Sequence, residues 1–167
     1  MDYIYCKFIS QKATKCEVIF SLNEVYKMTN TTLALGTRSI SVLATELCSN
    51  YPIVYTHLSA EAAEAVASLL NDTKFVLVAI DRVDWNAELS PWPARRAFRG
   101  ELDFAGGADA YLSELIHQII PTVEALTGYI PDYRAIAGYS MAGLFSIYAQ
   151  YHTDLFSRSD KSRKPFC

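Results

Sequence analysis

The sequence of 167 residues has no apolar run long enough to cross a membrane. Its longest one, Phe75 to Ile80, has six residues, whereas a membrane-spanning helix needs about 20. The opening Met1-Asp2-Tyr3 is not followed by a basic segment and an apolar stretch, so no secretory signal is visible. We therefore expect a cytoplasmic protein that has no membrane partner.

Paired cysteines and excess positive charge are also missing. The four cysteines (Cys6, Cys16, Cys48 and Cys167) form no C-x-x-C pair, which argues against a zinc site and against a disulfide framework. The net charge of −3 leaves no electrostatic footprint for nucleic acid. We expect no metal, no cofactor and no nucleic-acid partner.

The sequence does contain enough apolar residues for a substantial core. Hydrophobic residues make up 51% and charged residues 20% of the chain, which excludes a disordered tail and a coiled coil. A chain of this length buries about 68–70% of its unfolded surface. We expect a globular α/β domain.

The first fifty residues have the composition of β-structure. Alternating or β-branched patterns predict strands at Tyr3–Ile9, Cys16–Phe20 and Ser39–Ala44. The segments Asn30–Thr32 and Gly36-Thr37 are interpreted as turns between strands.

After Pro52, strands alternate with helices. Short apolar runs predict strands, and apolar residues at helical spacing predict helices. The predicted strands are Ile53–Tyr55, Phe75–Ile80 and Tyr133–Ala137, and the predicted helices are Ala60–Leu70, Asp109–Leu126 and Met141–His152. This alternation indicates βαβ units and a parallel sheet.

Local signals mark the ends and buried faces of these helices. Ser59 is predicted to cap the first helix, whose core-facing stripe would be Ala62, Val66, Leu69 and Leu70. In the second helix, Pro121 predicts a kink and Gly128 the end. The second helix has its stripe at Leu112, Leu115, Ile116, Ile119 and Val123.

The link between Asp81 and Ala108 is much longer than the 2–6 residues usual in α/β units. It contains both tryptophans and the pair Gly106-Gly107. It also starts at the carboxyl end of a strand, where α/β sheets bind ligands. We interpret it as a functional loop or cap.

The segment Gly138-Tyr139-Ser140-Met141-Ala142-Gly143 carries the clearest chemical signal. It has the pattern G-x-S-x-A between a predicted strand and a predicted helix, and Ala142 stands where such nucleophile elbows usually have glycine. The turn exposes the serine hydroxyl, and the residues two before and two after it must be small because they face each other. The alternative is a glycine-flanked turn in which Ser140 only caps the helix.

The stretch from about Tyr51 to Phe156 resembles the α/β-hydrolase superfamily, specifically the bacterial esterases related to esterase D and the enterochelin esterases. The resemblance covers about two-thirds of the chain. Its matching pieces are Pro52–His57, Val78–Ile80, Asp84–Asn86, Ser90–Trp92, Gly106–Asp109, Tyr111-Leu112, Ile119–Pro121 and Ala137–Leu144. The resemblance implies a serine nucleophile, a histidine base, an orienting acid and an ester substrate.

Site residues are assigned on this basis. Ser140 is the expected nucleophile, and the backbone N–H of Met141 is the expected first oxyanion-hole donor. The second donor is expected from the backbone around His57 and Leu58, although Leu58 stands where glycine often appears.

Four residues of the long link are expected to shape the substrate pocket. They are Asp84, Trp85, Asn86 and Trp92. The alternative is that both tryptophans cover the edge of the sheet. Three arginines of the same link (Arg95, Arg96 and Arg99) are more simply explained as a solvated charge run than as a site for an anionic substrate.

The sequence offers no convincing base or acid. His57 precedes Ser140, whereas the base of this superfamily follows the nucleophile, so it is interpreted as a loop-positioning residue. His117 is expected to be solvated, and His152 lies twelve helical residues, roughly 18 Å, from Ser140. Asp81 and Asp84 also precede the serine.

We expect a partial α/β-hydrolase domain over residues 1–156 and a non-matching polar and basic tail over residues 157–167. The fold class is α/β, a three-layer sandwich with antiparallel N-terminal strands, a mostly parallel sheet and a missing C-terminal part. An exposed sheet edge would favour self-association. The predicted core contains Ile53, Val54, Phe75, Leu77, Ile80, Leu115, Ile119, Ile136 and Phe145.

The expected function is a serine esterase acting on a small or siderophore-like ester through an acyl-enzyme. Activity of this chain is expected to be weak because a base is missing. The competing hypothesis is a non-catalytic hydrolase-fold module that binds a ligand or a partner.

Overall fold

The computed structural model describes residues 29–44, 51–70, 75–128, 131 and 133–156. Seven strands occur in this part of the chain: β1 (Thr29–Leu35), β2 (Arg38–Ala44), β3 (Ile53–Thr56), β4 (Val76–Asp81), β5 (Pro93–Ala94), β6 (Phe104–Ala105) and β7 (Arg134–Ala137). Five of them form the central sheet in the order β1-β2-β4-β3-β7, and β5 pairs with β6 in a small hairpin.

Strand directions follow the predicted division of the chain. β2 pairs antiparallel with both β1 and β4, whereas β3 pairs parallel with both β4 and β7. Only β2 therefore runs against the other four strands of this sheet. The register places Tyr55 beside Val78 on one side and Ile136 on the other. The mixed sheet with antiparallel N-terminal strands is confirmed.

The predicted turn at Asn30–Thr32 is wrong, because these residues lie within β1. Their polar side chains are tolerated because β1 is at the edge of the sheet, and β-branched threonine suits a strand. The chain reverses at Gly36-Thr37, as predicted, where Gly36 has a φ of +59°. Glycine meets the positive φ that such a two-residue hairpin turn requires.

Five α-helices lie in the described residues: α1 (Ala60–Leu69), α2 (Trp85–Glu88), α3 (Ala108–Glu114), α4 (Ile120–Thr127) and α5 (Ser140–His152). A π-helical turn (Leu115–Ile119) joins α3 to α4, and a 3-10 turn (Asp154–Phe156) follows α5. None of the helices described is long and apolar enough to span a bilayer.

The sheet is covered on both faces. On one face, Ile53, Tyr55 and Val78 pack against Leu115, Ile119 and Phe145 of the α3–α5 layer. On the other face, Leu43, Phe75 and Leu77 pack against Ala63 and Ala67 of α1. Eight of the nine predicted core residues are buried, and Val54 is half-buried towards α1. The three-layer architecture is confirmed.

The predicted stripe of α1 is wrong, although its cap is confirmed. Ser59 Oγ accepts the Ala62 N–H at 3.3 Å, but Leu69 is 84% exposed. The buried positions are instead Ala63 and Ala67. Two alanines one turn apart let the helix backbone approach the sheet closely, whereas the large residues remain at the rim.

The rim of α1 borders an apolar groove of about 460 Å³. Val54, Val66 and Tyr133 are among its lining residues, and β7 forms the neighbouring edge of the sheet. Self-association through this edge stays a prediction.

Pro121 follows a π turn in the long second helix, and the kink expected at this proline stays a prediction. It has no N–H to donate, and its ring would crowd the carbonyl one turn earlier. Immediately before it, the Ile120 N–H bonds to the Leu115 carbonyl five residues back, which closes the π turn. Gly128 ends the helix in the left-handed conformation with a φ of +66°.

The link between β4 and α3 folds back on itself. The Gly106 N–H donates to Ser90 Oγ at 2.8 Å, and the Gly107 N–H donates to the Ala87 carbonyl at 2.9 Å. A Cβ added to Gly106 would lie 2.6 Å from the ring of Pro93. The glycine pair therefore lets β6 and α3 close against α2 and β5.

Several predictions fall outside the described residues. They are the strands Tyr3–Ile9 and Cys16–Phe20, the tail over residues 157–167, and the pairing state of the four cysteines.

The buried face of α1 can be tested by a pair of substitutions. Ala67→Leu places a large side chain where the helix meets the sheet, so we expect a loss of about 1–3 kcal/mol in the free energy of unfolding. Leu69→Ala removes an exposed side chain, and we expect a change within about 0.5 kcal/mol. Urea denaturation measures both. A larger loss of unfolding free energy in Leu69→Ala than in Ala67→Leu would show that the stripe containing Leu69 faces the sheet.

Candidate active site

Ser140 lies at the turn between β7 and α5. Its φ is +51°, one of two positive values among the described non-glycine residues. Such a conformation is strained and persists only where the surroundings fix it. The residue is exposed. The strained, exposed serine matches the geometry expected of a nucleophile elbow.

Gly138 and Ala142 make the close contact that this turn requires. A Cβ added to Gly138 would lie 2.5 Å from the carbonyl carbon of Ala142 and 2.7 Å from its Cβ. Ala142 is fully buried, and its methyl group is accommodated as predicted. The small-residue requirement is therefore strict at position 138 and slightly relaxed at position 142.

Ser140 is also the first residue of α5, so the N-terminus of this helix lies at the elbow. Tyr139 is the N-cap residue in extended conformation and makes no side-chain cap. The first N–H groups of a helix have no intrahelical partner, and the helix dipole adds positive potential there. Met141 lies in this first turn, and its role as an oxyanion-hole donor stays a prediction.

A cavity of about 230 Å³ lies next to the elbow. Three segments meet around it: the loop after β3 with His57 and Leu58, the segment after β4 with Trp85, and Tyr139. The structure thus places the loop proposed to supply the second oxyanion donor beside the residue that precedes Ser140.

Of the four residues predicted for the substrate pocket, Trp85 lines this cavity, and its ring centroid lies 5.1 Å from that of Tyr139. Asp84 instead caps α2, because its carboxylate accepts the N–H groups of Asn86 and Ala87 at 3.0 Å. The Asn86 side chain donates to the Leu102 carbonyl at 3.0 Å. Trp92 is 59% exposed and does not line the cavity.

His57 is a buried structural residue. Its Nε2 lies 3.0 Å from the Tyr111 hydroxyl, and its ring packs edge-on against Phe145. Burial, reinforced by the positive charge of Arg38, lowers the pKa of His57 to about 4. Nδ1 is buried without a hydrogen-bond partner among the described residues. The interpretation as a positioning residue therefore agrees with the geometry.

The other two histidines lie elsewhere. His117 is exposed on the π turn. His152 ends α5, where Nδ1 lies 2.8 Å from the Tyr148 carbonyl and the ring stacks on Tyr148. A hydrogen bond from the Tyr148 hydroxyl to Asp109 raises the pKa of that tyrosine to about 12.

The arginines of the long link are exposed, as expected of a charge run. Arg96 lies 3.9 Å from Asp103 in the hairpin, and its guanidinium donates to the Glu101 carbonyl.

Within the part of the chain that the structure covers, no three His, Cys, Asp or Glu side chains form a group that could hold a metal ion.

The sequence analysis missed Arg38, which is buried at the start of β2. Its guanidinium binds Glu88 of α2 through Nη1 and Nη2, at 2.8 and 2.6 Å. It also binds Glu114 of α3 through Nε and Nη2, at 3.1 and 2.8 Å. The guanidinium lies 5.1 Å from the ring centroid of Tyr111. The hydrogen bonds from Arg38 lower the pKa of Glu88.

Comparison with known proteins identifies the family. The family model described as "Putative esterase" matches residues 54–159, which is more than half of the chain. The chain therefore belongs to this esterase family, and its fold is that of the α/β-hydrolases.

Individual proteins resemble this chain in sequence or in fold. The uncharacterized protein YbbA of Bacillus subtilis (strain 168) is 33% identical over 78 residues, which cover 46% of this chain and 31% of YbbA. The BES protein from Bacillus cereus has a TM-score of 0.58 at 12% identity, over 86% of this chain and 63% of that one.

The siderophore hydrolase EstA from Aspergillus nidulans has a TM-score of 0.55 at 18% identity, over 81% of this chain and 57% of its own. The enterobactin hydrolase IroE has a TM-score of 0.54 at 21% identity, over 80% of this chain and 62% of its own. The chain thus spans about a third of YbbA and about three-fifths of these solved structures.

The contact between Gly138 and Ala142 can be tested by substitution. Gly138→Ala forces a methyl group into the Ala142 backbone, so we expect a loss of about 3 kcal/mol in unfolding free energy. The control Gly36→Ala adds a methyl group in open space at a positive φ, and should cost about 1 kcal/mol. Denaturant titration compares them, and equal losses would refute the steric explanation.

The buried His57 predicts a pH dependence of stability. Below its ordinary pKa of 6.5, the unfolded chain takes up a proton that the folded chain does not take up until about pH 4. Stability should therefore fall as the pH is lowered through this window, by on the order of 3 kcal/mol in all. Denaturation between about pH 5 and 6.5 isolates this effect from the carboxylates, which titrate lower.

Two variants test whether His57 is the histidine that causes this pH dependence of stability. His57→Asn should flatten the dependence of unfolding free energy on pH, whatever its own cost in stability. His117→Asn, at an exposed position, should leave the slope unchanged. An unchanged slope in His57→Asn would show that the pKa of His57 is the same in the folded and the unfolded chain.

Proposed function

We propose that this chain carries the nucleophile and oxyanion-binding part of a serine esterase. The observation that supports this most directly is Ser140 at a φ of +51°, exposed at a strand-to-helix turn. Serines are held in such strain where the hydroxyl must be presented to a substrate. Membership of the esterase family supplies the reaction class.

In this proposal, Ser140 Oγ attacks the ester carbonyl carbon and its proton passes to a general base. The tetrahedral oxyanion accepts hydrogen bonds from the Met141 N–H and from the backbone near His57 and Leu58. Collapse of the intermediate breaks the ester bond, releases the alcohol and leaves an acyl-serine. Water then hydrolyses the acyl-serine.

The substrate would enter through the cavity beside the elbow. We propose a small or siderophore-like ester, because two of the solved structures that this chain resembles are described as a siderophore hydrolase and an enterobactin hydrolase. Trp85 and Tyr139 provide apolar contact area for its uncharged part.

One observation favours a second candidate, a hydrolase-fold module that binds a ligand without turning it over. All three histidines of the chain lie in described residues, and among these residues no hydrogen bond joins a histidine to Ser140. His57 is buried against Tyr111, and His152 is at the far end of α5.

A fluorophosphonate probe followed by peptide mass spectrometry separates the two candidates. We expect an adduct on Ser140, because the elbow presents its hydroxyl and the oxyanion donors stabilise the product geometry. The adduct should disappear in Ser140→Ala and persist in Ser68→Ala, which alters an exposed serine on α1. A folded chain that forms no adduct would favour the binding module.

Turnover by the chain alone should be very low even if Ser140 is labelled. Loss of the base in a triad hydrolase costs on the order of 10⁶ in turnover, against about 10 s⁻¹ for an ordinary enzyme. The measurement is hydrolysis of p-nitrophenyl acetate by purified chain, with Ser140→Ala as the blank. A Ser140-dependent rate near 10 s⁻¹ would reveal a base, and His57 would be substituted first.

A further inference from the structure

The segment after β4 forms one wall of the cavity and has a strained backbone. Arg82 has a φ of +60°, the second positive value among the described non-glycine residues. Its N–H donates to the Asp81 carboxylate at 2.7 Å, and its carbonyl accepts from Arg38 Nη1 at 3.0 Å. Arg38 on β2 therefore holds this strained residue from the core side.

Glu88 makes a second connection between Arg38 and the same wall. One oxygen, Oε2, accepts both from Arg38 Nη1 at 2.8 Å and from the Asp84 N–H at 2.7 Å. Asp84 is the N-cap of α2, and Trp85 is the first residue of that helix. Trp85 in turn packs against Tyr139, the residue before Ser140.

We propose that Arg38 is a positioning residue for the Ser140 site, a role that rests on the proposed function. Through Arg82 and Glu88 it fixes the segment after β4, so that Trp85 stays against the elbow and the cavity keeps its shape. Arg38 reaches the cavity wall by binding the carbonyl of Arg82, which lines the cavity.

The chain contains a matched control for this proposal. Glu114 also binds Arg38 through two hydrogen bonds, and its side chain is 29% exposed compared with 31% for Glu88. Glu114 belongs to α3, however, and makes no bond to the Asp84–Trp85 segment. Glu88→Gln and Glu114→Gln therefore each alter one carboxylate partner of Arg38, but only Glu88→Gln also alters the contact with Asp84.

The first measurement is the rate of Ser140 labelling by the fluorophosphonate at several probe concentrations, which separates probe binding from the covalent step. We expect Glu88→Gln to slow labelling by at least about tenfold, because displacement of a site wall by about 1 Å is costly. Glu114→Gln should remain within about twofold of the unaltered chain, since it leaves the Asp84 contact in place.

The second measurement needs no reaction at Ser140. In a Trp92→Phe background, Trp85 is the remaining tryptophan of the chain, and acrylamide quenching reports its exposure. We expect Glu88→Gln to raise the quenching constant clearly and Glu114→Gln to leave it nearly unchanged. Urea denaturation of the same variants gives their stabilities.

Each outcome decides the question. If Glu88→Gln and Glu114→Gln change the labelling rate and the quenching constant equally, in proportion to their loss of stability, the proposal is overturned. Arg38 would then have only a structural role. If the unaltered chain forms no adduct, the proposed function fails, and the quenching comparison alone judges the positioning role. A Trp85 that becomes accessible only in Glu88→Gln supports it, and equal accessibility in both variants refutes it.

Discussion

Burial of the Arg38 guanidinium is the constraint on which the arrangement around the site depends. A buried charge is tolerated only when it is paired and fully hydrogen-bonded. Here the partners come from α2 and α3, so both helices must meet over the start of β2. Tyr111 of α3 is thereby placed under the guanidinium and against His57. One ion-pair network therefore links the sheet, the long link and the loop after β3.

The spacing of apolar residues predicted the strands and helices that are stabilised by burial. It did not predict contacts between residues that lie far apart in the sequence. β3, β4, β7 and α5 are short apolar or amphipathic segments, so their patterns alone were informative. The partners of Arg38 lie 50 and 76 residues further along the chain, and no local pattern reveals such a pairing. The buried alanines of α1 were missed because a hydrophobic stripe counts large side chains, whereas close helix–sheet packing selects small ones.

The candidate site likewise has one part that the local sequence predicted and another part that it did not. Gly138, Ser140 and Ala142 were predictable because the elbow is a local steric problem within five residues. The pocket was not, since its walls come from segments far apart in sequence. A signal for Asp84 was present nonetheless: an aspartate just before a short helical segment is a typical N-cap, and the structure uses it so. Gly106-Gly107 similarly indicated a close backbone approach.

The π turn before Pro121 has a consequence for how sequence length is tolerated. It accommodates one residue more than an α-helix of the same rise would hold. Removal of a single residue there, such as exposed Gln118, would turn the π turn into an ordinary α-helical turn. The rotation of α4 relative to α3 would be kept, so Ile120 and Val123 would stay in the core. The π turn is thus a point where this helix can lose one residue while the apolar faces on either side remain in phase.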